Sequence, residues 1–226
     1  MITKSEFITE NVAYTKYKDL FDYNLEIINQ INSALDVFDQ KQIKPDTDFK
    51  GVLLAVFTKS VALFVSVHHL CNLGFGLEAA LLVRALLENL IELKYLENED
   101  KALCKMFLEN PDDYRKALKR KGHLRISERA AIAKMKIHYD RRYSDLSKIV
   151  HPDYRGVLPR ISDSQGKLVF DIGPSLNRVK ESLLLSQYYF NLVFLYFCRS
   201  FELWDRTDIE NIEKVLRETE PMMLGT

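Results

Sequence analysis

The pattern of hydrophobic and polar positions predicts helices along nearly the whole chain, and one stretch, residues 77–97, is apolar on almost every face. A helix with apolar residues all round is buried in the core of a protein. The segment 49–73 has the same character, and only the Gly-Phe-Gly link at 74–76 separates the two stretches. Because a short link joins antiparallel neighbours, we expect these two helices to form a hairpin at the centre of the fold.

Apolar residues at helical spacing predict further helices on both sides of this central pair. The predicted segments are 6–40, 99–110, a helix starting at Pro111, a helix capped by Ser127 that runs to Val150, 176–204, and a last helix starting at Thr207 or Asp208. Two short apolar runs, VLPRI and KLVFDIG, flank a Gly-bearing loop and predict a small β-hairpin near 157–172. The expected fold is therefore an all-α helical bundle of about six to eight helices, forming one domain over residues 1–226, with this β-hairpin inserted.

The composition is that of an ordinary globular protein. The 226 residues are 47% hydrophobic, and 32 basic residues balance 32 acidic ones. A formal net charge of zero gives no bulk attraction to nucleic acid or to anionic membranes. Three widely spaced cysteines form no disulfide framework, and the N-terminus has no apolar signal segment, so we expect a cytoplasmic protein.

Two uncharged stretches, 60–77 and 182–198, raise the question of a membrane span. Both contain polar side chains, among them His68, Asn72 and Gln187. A spanning helix needs about 20 predominantly apolar residues. We therefore interpret both stretches as core helices and expect no membrane partner.

Arg84 and Glu88 interrupt the apolar stretch 77–97 and lie four residues apart, on one face of the helix. A charge in apolar surroundings is unfavourable unless it is paired, so we expect an ion pair joined by a third polar group from another helix. In one interpretation the guanidinium holds a phosphate or carboxylate, while the Glu88 carboxylate orients it or acts as a base. In the other, the pair is structural and fixes the register of the helix.

A second polar face lies at the predicted end of the helix that precedes the β-hairpin. Tyr143, Ser147 and His151 follow one another at spacings of four and share that face, and Arg155 adds a cationic side chain for an anion just after them. A histidine at a helix C-terminus is stabilised in its charged form and titrates close to neutral pH, as a general acid or base requires. Alternatively, His151 and the proline after it only terminate the helix.

The segment 115–142 is strongly basic, which indicates either a track for RNA or a solvated face. Few aromatic residues accompany these charges, which argues against stacking of single-stranded bases. His68 and His69 are adjacent on a helix and point about 100° apart, so they do not share a metal easily. The sequence has no phosphate-binding glycine loop, no G-x-S-x-G motif and no Glu-x-x-His set, so we expect no cofactor and no metal.

Two motifs, G-x-x-x-E-A-x-L-x-x-R-A-L-L-E-N at 74–89 and Y-S-x-L-S-K-x-V-H-P at 143–152, resemble those of a family of uncharacterised bacterial helical proteins. The resemblance extends over roughly 57–195. More distantly, the chain is similar to the HEPN superfamily, many of whose members are dimeric RNases of toxin and phage-defence systems. The resemblance implies a helical bundle, a homodimer and a defence or toxin context. The HEPN signature sets an arginine a few residues before a histidine, whereas eight residues separate Arg142 from His151 here.

These observations lead to three hypotheses. In the first, the chain is a binding module whose pocket around Arg84, Glu88, Ser147 and His151 holds a small anion or a nucleotide phosphate. In the second, it is a metal-independent endoribonuclease acting on RNA across a dimer interface. His151 would then be the general acid or base, Arg84 would stabilise the transition state, and Tyr143 or Ser147 would orient the phosphate. In the third, the chain is a structural subunit of an oligomer and encloses these polar groups completely.

Overall fold

The structure, a computed structural model, describes residues 12–99, 101–150, 176, 178–204 and 206–224. In this part of the chain all regular elements are helical, and we number the α-helices in chain order. They are α1 (Lys18–Gln40), α2 (Asp48–Asn72), α3 (Gly76–Glu97), α4 (Lys101–Glu109), α5 (Pro111–Lys121), α6 (Ile126–Ile132), α7 (Lys136–His138), a π-helical turn (Tyr139–Tyr143), α8 (Ser144–Val150), α9 (Val179–Ser200) and α10 (Arg206–Leu224).

Three long helices, α2, α3 and α9, pack against one another and form the centre of the bundle. Most of α3 is buried, which confirms the predicted central helix. Phe57 of α2 lies among the rings of α9, with centroids 3.9 Å from Phe197, 5.9 Å from Phe194 and 6.2 Å from Phe190. The dense aromatic run of α9 therefore belongs to the core, and the helical-bundle prediction is confirmed.

Buried amide side chains of α9 hold α1 in register. Gln187 Nε2 donates to the backbone oxygen of Leu20 at 2.9 Å and to Asn24 Oδ1 at 2.7 Å. One turn further along, Asn191 Nδ2 donates to the Tyr23 hydroxyl at 3.2 Å. A buried amide without partners is strongly unfavourable, so these bonds select one placement of α1 on α9.

Local sequence explains where the central hairpin begins and turns. Thr47 caps α2, because its hydroxyl accepts a hydrogen bond from the Lys50 backbone nitrogen at 3.1 Å. Gly74, in the link between α2 and α3, has a φ of 83°, a conformation that glycine adopts without strain. Pro111 is the first residue of α5, as the sequence predicts.

The segment 126–150 differs from the single helix predicted for it. Helix α6 starts before Ser127, and the Glu128 carboxylate accepts a hydrogen bond from the Arg125 backbone nitrogen at 2.7 Å. Lys134 then adopts a positive φ of 56°, which interrupts the helix before α7. The single-helix prediction is wrong because neither glycine nor proline marks this break, and hydrophobic spacing alone does not reveal it.

The predicted fold class also needs a correction. The described residues contain helices and no strand, so the structure supports a helical bundle without the small β-hairpin. Residues 157–172, on which the hairpin was placed, lie outside the described residues. The sequence pattern for the hairpin was weak, because short apolar runs do not distinguish a strand from a helix. In addition, a lone two-stranded hairpin is only marginally stable.

Helix α2 is the one helix of the described residues that is long and apolar enough to cross a membrane, with a mean hydropathy of 1.8 over its best window. Core helices satisfy the same criterion. Helix α2 packs against α3 and α9, and 39% of that window is buried inside the structure.

A buried histidine lies where α10 packs on the bundle. His138 is 4% exposed, and its ring stacks on Tyr188 with centroids 5.7 Å apart. Its Nε2 is 3.6 Å from Glu220 Oε1 of α10, which also accepts a hydrogen bond from the Tyr188 hydroxyl at 3.1 Å. Burial lowers the pKa of His138, and the nearby Lys94 lowers it further, against an opposing effect of Glu220.

We therefore expect stability to fall below neutral pH. The folded-state pKa of His138 lies below its unfolded value, so the unfolded chain binds the proton more readily. The contribution of neutral His138 to stability is complete above the ordinary histidine pKa of about 6.5. It is lost as the pH falls toward the lower pKa of His138 in the folded protein. Urea titrations at several pH values should show that the free energy of unfolding falls less at acidic pH for His138→Gln than for the wild type. His69 is exposed, so His69→Gln should behave like the wild type and serves as the control. An unchanged pH dependence would contradict this account.

Candidate functional site

Arg84, Glu88 and Tyr143 form one hydrogen-bonded cluster between α3 and the π-helical turn. Arg84 Nε donates to Glu88 Oε1 at 3.0 Å, and Arg84 Nη2 donates to the Tyr143 hydroxyl at 2.6 Å. The Tyr143 hydroxyl donates in turn to Glu88 Oε1 at 2.9 Å. The guanidinium also lies over the Tyr143 ring, with Cζ 4.6 Å from the centroid. The expected ion pair is therefore confirmed, and Tyr143 is its third polar group.

The cluster is less buried than the sequence indicates. The Arg84 side chain is 23% exposed and the Glu88 side chain is 39% exposed. An ion pair with this exposure contributes only about 0–1 kcal/mol to stability. Structural stabilisation alone is therefore a weak reason for two charges in the middle of an otherwise apolar helix.

Both charged side chains have groups that the cluster does not use. Arg84 Nη1 has no acceptor and Glu88 Oε2 has no donor in the part of the chain that the structure describes. A guanidinium carries five N–H donors in one plane and binds a carboxylate or phosphate through two of them. Arg84 is thus held at Nε and at one side of Nη2, while its remaining donors are available to a ligand.

The π-helical turn positions Tyr143. A π-helical turn is a rare local expansion of a helix that occurs frequently at functional sites. Tyr139, at the start of this turn, stacks on Tyr143 with ring centroids 4.7 Å apart. Burial raises the pKa of Tyr143, and the Glu88 carboxylate raises it further, so the phenol stays protonated at neutral pH and keeps donating its hydrogen bond.

The other predicted site residues are not part of this cluster. The Ser147 hydroxyl donates to the backbone oxygen of Tyr143 at 2.7 Å, within its own helical run, and so is not bonded to Arg84 or Glu88. His151 and Arg155 lie outside the described residues. The structure therefore brings together Arg84, Glu88 and Tyr143, and the roles given to the others stay predictions.

A cleft of about 450 Å³ lies next to the cluster and shares Glu88 with it. This volume is within the range of small-molecule sites. The cleft runs between α2, α3, α4, α5 and α6, and it is lined by Ala55, Val56, Lys59, Glu88, Asn89, Glu92, Phe107, Tyr114, Ile126 and Arg129. It therefore combines apolar walls with a few polar groups, as ligand sites commonly do.

Glu92 is the centre of the polar group on the far side of the cleft. It accepts a hydrogen bond from the Tyr114 hydroxyl at Oε1, and Arg129 Nε lies 2.8 Å from its Oε2. The same arginine donates through Nη1 to the backbone oxygens of His123 and Leu124. Burial raises the pKa of the Glu92 carboxyl, and Arg129 counteracts this effect. Both Glu92 oxygens are thus already occupied by groups of the protein.

The sequence contained a signal for Glu92 that our interpretation missed. It follows Glu88 by four residues, as Glu88 follows Arg84, so the three charges form one polar stripe on α3. Tyr114 and Arg129 carry no comparable signal, because only the packing of α5 and α6 on α3 brings them to the cleft.

Five of the eleven basic residues in the segment 115–142 are paired with carboxylates. Besides Arg129 with Glu92, the structure pairs Lys116 with Asp113, Lys121 with Glu99, Lys136 with Asp140 and Arg142 with Glu181. Such pairing removes these five cations from a track for RNA phosphates, which needs unpaired cations.

No group of three or more metal-ligating side chains occurs among the described residues. The three cysteines are all buried and free. Burial raises the pKa of the Cys71 thiol to about 12, which leaves almost no thiolate at neutral pH. The Cys71 thiol is therefore a packing group of the core rather than a nucleophile.

We expect the native protein to be inert toward thiol reagents. Cys71, Cys104 and Cys198 are buried, so a disulfide reagent such as DTNB should label them only after unfolding. A DTNB assay in buffer and in guanidinium chloride measures this directly. Rapid release of a thiol equivalent from the native protein would show that the core opens around at least one cysteine.

The fold and the site define an all-helical protein with a polar cluster beside a ligand-sized cleft. Comparison with known sequences adds one finding: the profile of DUF5677, a family of unknown function, matches residues 50–125. That segment carries Arg84, Glu88 and every cleft residue except Ile126 and Arg129. No curated protein and no solved structure matches the chain significantly. The expectation of an uncharacterised family is consistent with this match.

Proposed function

We propose that this chain binds a small ligand through an anionic group, a carboxylate or a phosphate, held by Arg84. The observation that carries the proposal is the state of its guanidinium. Hydrogen bonds to Glu88 and Tyr143 fix its plane, yet Nη1 has no acceptor among the described residues, and the side chain is 23% exposed. A guanidinium that is already fixed in this way loses little conformational freedom when an anion binds.

The adjacent cleft supports the same proposal. It shares Glu88 with the cluster, so a ligand whose anion contacts Arg84 can place its apolar body between α2 and α3. The described site contains neither a metal-binding group nor a reactive thiol, and Tyr143 is a hydrogen-bond donor rather than a base. Binding without turnover is therefore the function that this chemistry supports best.

An endoribonuclease remains the second candidate, and one observation favours it. Arg84 contacts Tyr143, and the helical run from Tyr143 through Ser147 leads toward His151, the predicted general acid or base. A homodimer, a cytoplasmic location and a defence context belong to this same set of proposals. Purified protein incubated with total RNA, beside His151→Ala and Arg84→Gln, tests this candidate. RNA cleavage that both substitutions abolish would replace the binding proposal.

Three probes of one shape test the binding proposal by calorimetry. They are 3-phenylpropanoate, phenyl phosphate and the neutral 3-phenylpropanamide. We expect one or both anions to bind and the amide to bind at least about tenfold more weakly, because it has no charge for the guanidinium. Stronger binding of the carboxylate or of the phosphate identifies the preferred anion. Equal binding of all three probes would contradict the proposal.

A further inference from the structure

Two hydrogen-bond acceptors of α3 have no donor among the described residues, and both belong to side chains that line the same cleft. Glu88 Oε2 has no donor among the described residues, because both bonds to this carboxylate go to Oε1. Asn89 Nδ2 donates to the Ser60 hydroxyl at 3.1 Å, which leaves Asn89 Oδ1 as the other acceptor. Glu88 and Asn89 both line the cleft. The free oxygen of the Glu88 carboxylate is a suitable acceptor for an ammonium group, which has three donors and no acceptor.

From this arrangement we infer that the ligand is an α-amino acid with an apolar side chain, an inference that rests on the proposed anion site at Arg84. Arg84 and Glu88 are in direct contact, with Nε and Oε1 3.0 Å apart. Their unused groups, the Nη1 donors and Oε2, therefore belong to two side chains that touch each other. An α-amino acid carries its carboxylate and its ammonium on the same carbon, so one ligand can satisfy both.

The remaining lining of the cleft fits the side chain of such a ligand. Ala55, Val56, Phe107 and Ile126 give it apolar walls, and a volume of about 450 Å³ holds a large aliphatic or aromatic group. The Phe107 ring is itself fixed by an edge-to-face contact with Tyr114, with centroids 5.3 Å apart. An apolar side chain is therefore the natural occupant of the middle of the cleft.

The charges on the far side do not create a second ionic subsite for the ligand. Both oxygens of Glu92 are occupied, one by the Tyr114 hydroxyl and the other by Arg129. The exposed Lys59 ammonium also favours the charged form of this carboxyl. The pair of Glu92 and Arg129 is thus neutral as a unit, which favours an apolar group beside that pair over a charged one.

The test compares ligands that differ by one group. Calorimetric titrations use L-phenylalanine, 3-phenylpropanoate, which lacks the amine, and 2-phenylethylamine, which lacks the carboxylate. The wild type should bind phenylalanine about tenfold more tightly than either analogue, because each analogue leaves one charged group of the protein unpaired. Glu88→Gln should abolish the preference for phenylalanine over 3-phenylpropanoate, because the charge that pairs with the ammonium group is lost.

A matched pair of variants on α2 tests the place of the side chain. Ala55 and Ala62 are both exposed, but only Ala55 lines the cleft. Ala55→Trp should fill the cleft and weaken phenylalanine binding by about tenfold or more, whereas Ala62→Trp should leave it unchanged. Equal affinities of the two variants would overturn the assignment of the cleft.

The outcomes separate this inference from the proposed function. If 3-phenylpropanoate binds in a way that Arg84→Gln abolishes, but phenylalanine binds no more tightly, the anion site stands and the amino-acid inference is overturned. If no carboxylate binds, the amino-acid inference fails, and if phenyl phosphate does not bind either, the anion site fails with it. If phenylalanine binds more tightly and Glu88→Gln removes only that advantage, the inference is supported.

Discussion

Replacing Arg84 by glutamine should weaken the binding of 3-phenylpropanoate by about 10- to 100-fold while the protein stays folded. A hydrogen bond to a charged partner contributes about 1.5–3 kcal/mol, and this range corresponds to that loss of affinity. The structural effect should be small, since a pair with 23% and 39% exposed side chains stabilises the fold by at most about 1 kcal/mol. Calorimetry measures the affinity, and urea unfolding measures the free energy of unfolding.

Arg199→Gln is the matched control for this variant. Arg199 also forms an ion pair, with Glu213, and its side chain is 47% exposed, but it does not line the cleft beside Glu88. It should therefore change neither the affinity nor the free energy of unfolding appreciably. The opposite pattern for Arg84→Gln, a large loss of stability with unchanged affinity, would mean that the pair only holds α3 in place.

The largest effect on stability is expected for Phe57→Ala. Phe57 is 1% exposed and stacks on Phe197 of α9 with ring centroids 3.9 Å apart. Truncating a buried phenylalanine removes apolar burial and leaves a cavity, which together destabilise a protein by about 3–5 kcal/mol. Urea unfolding followed by circular dichroism should show this loss.

Leu35→Ala provides the comparison, because Leu35 is 37% exposed on α1. Surface substitutions of this kind usually change stability by no more than about 0.5 kcal/mol. If Phe57→Ala destabilised the protein as little as Leu35→Ala, the contact between α2 and α9 would not be the centre of the core, and the described packing would be wrong.

The sequence predicted the centre of the fold well because its signals are local. A helix with so few charged positions must be largely buried, and Gly74 and Pro111 mark the ends of their segments. The ion pair followed from the same reasoning, since two charges four residues apart on such a helix need each other.

The remainder of the site depends on tertiary packing. The contact of Tyr143 with α3 requires the π-helical turn, and no periodicity of the sequence encodes that turn. Arg129 belongs by sequence to a basic segment, and only the position of α6 against α3 brings it to Glu92. The break at Lys134 is a similar case, because a lysine with positive φ carries no signature in the sequence.

The most direct test of the central claim observes the Arg84 side chain itself. In ¹⁵N-labelled protein, the arginine Nε–H signals resolve separately, and Arg84→Gln identifies the one that belongs to Arg84. We predict that this signal shifts and saturates as 3-phenylpropanoate is added, and that 3-phenylpropanamide leaves it in place. A signal that neither 3-phenylpropanoate nor phenyl phosphate moves would contradict the claim that Arg84 binds an anion.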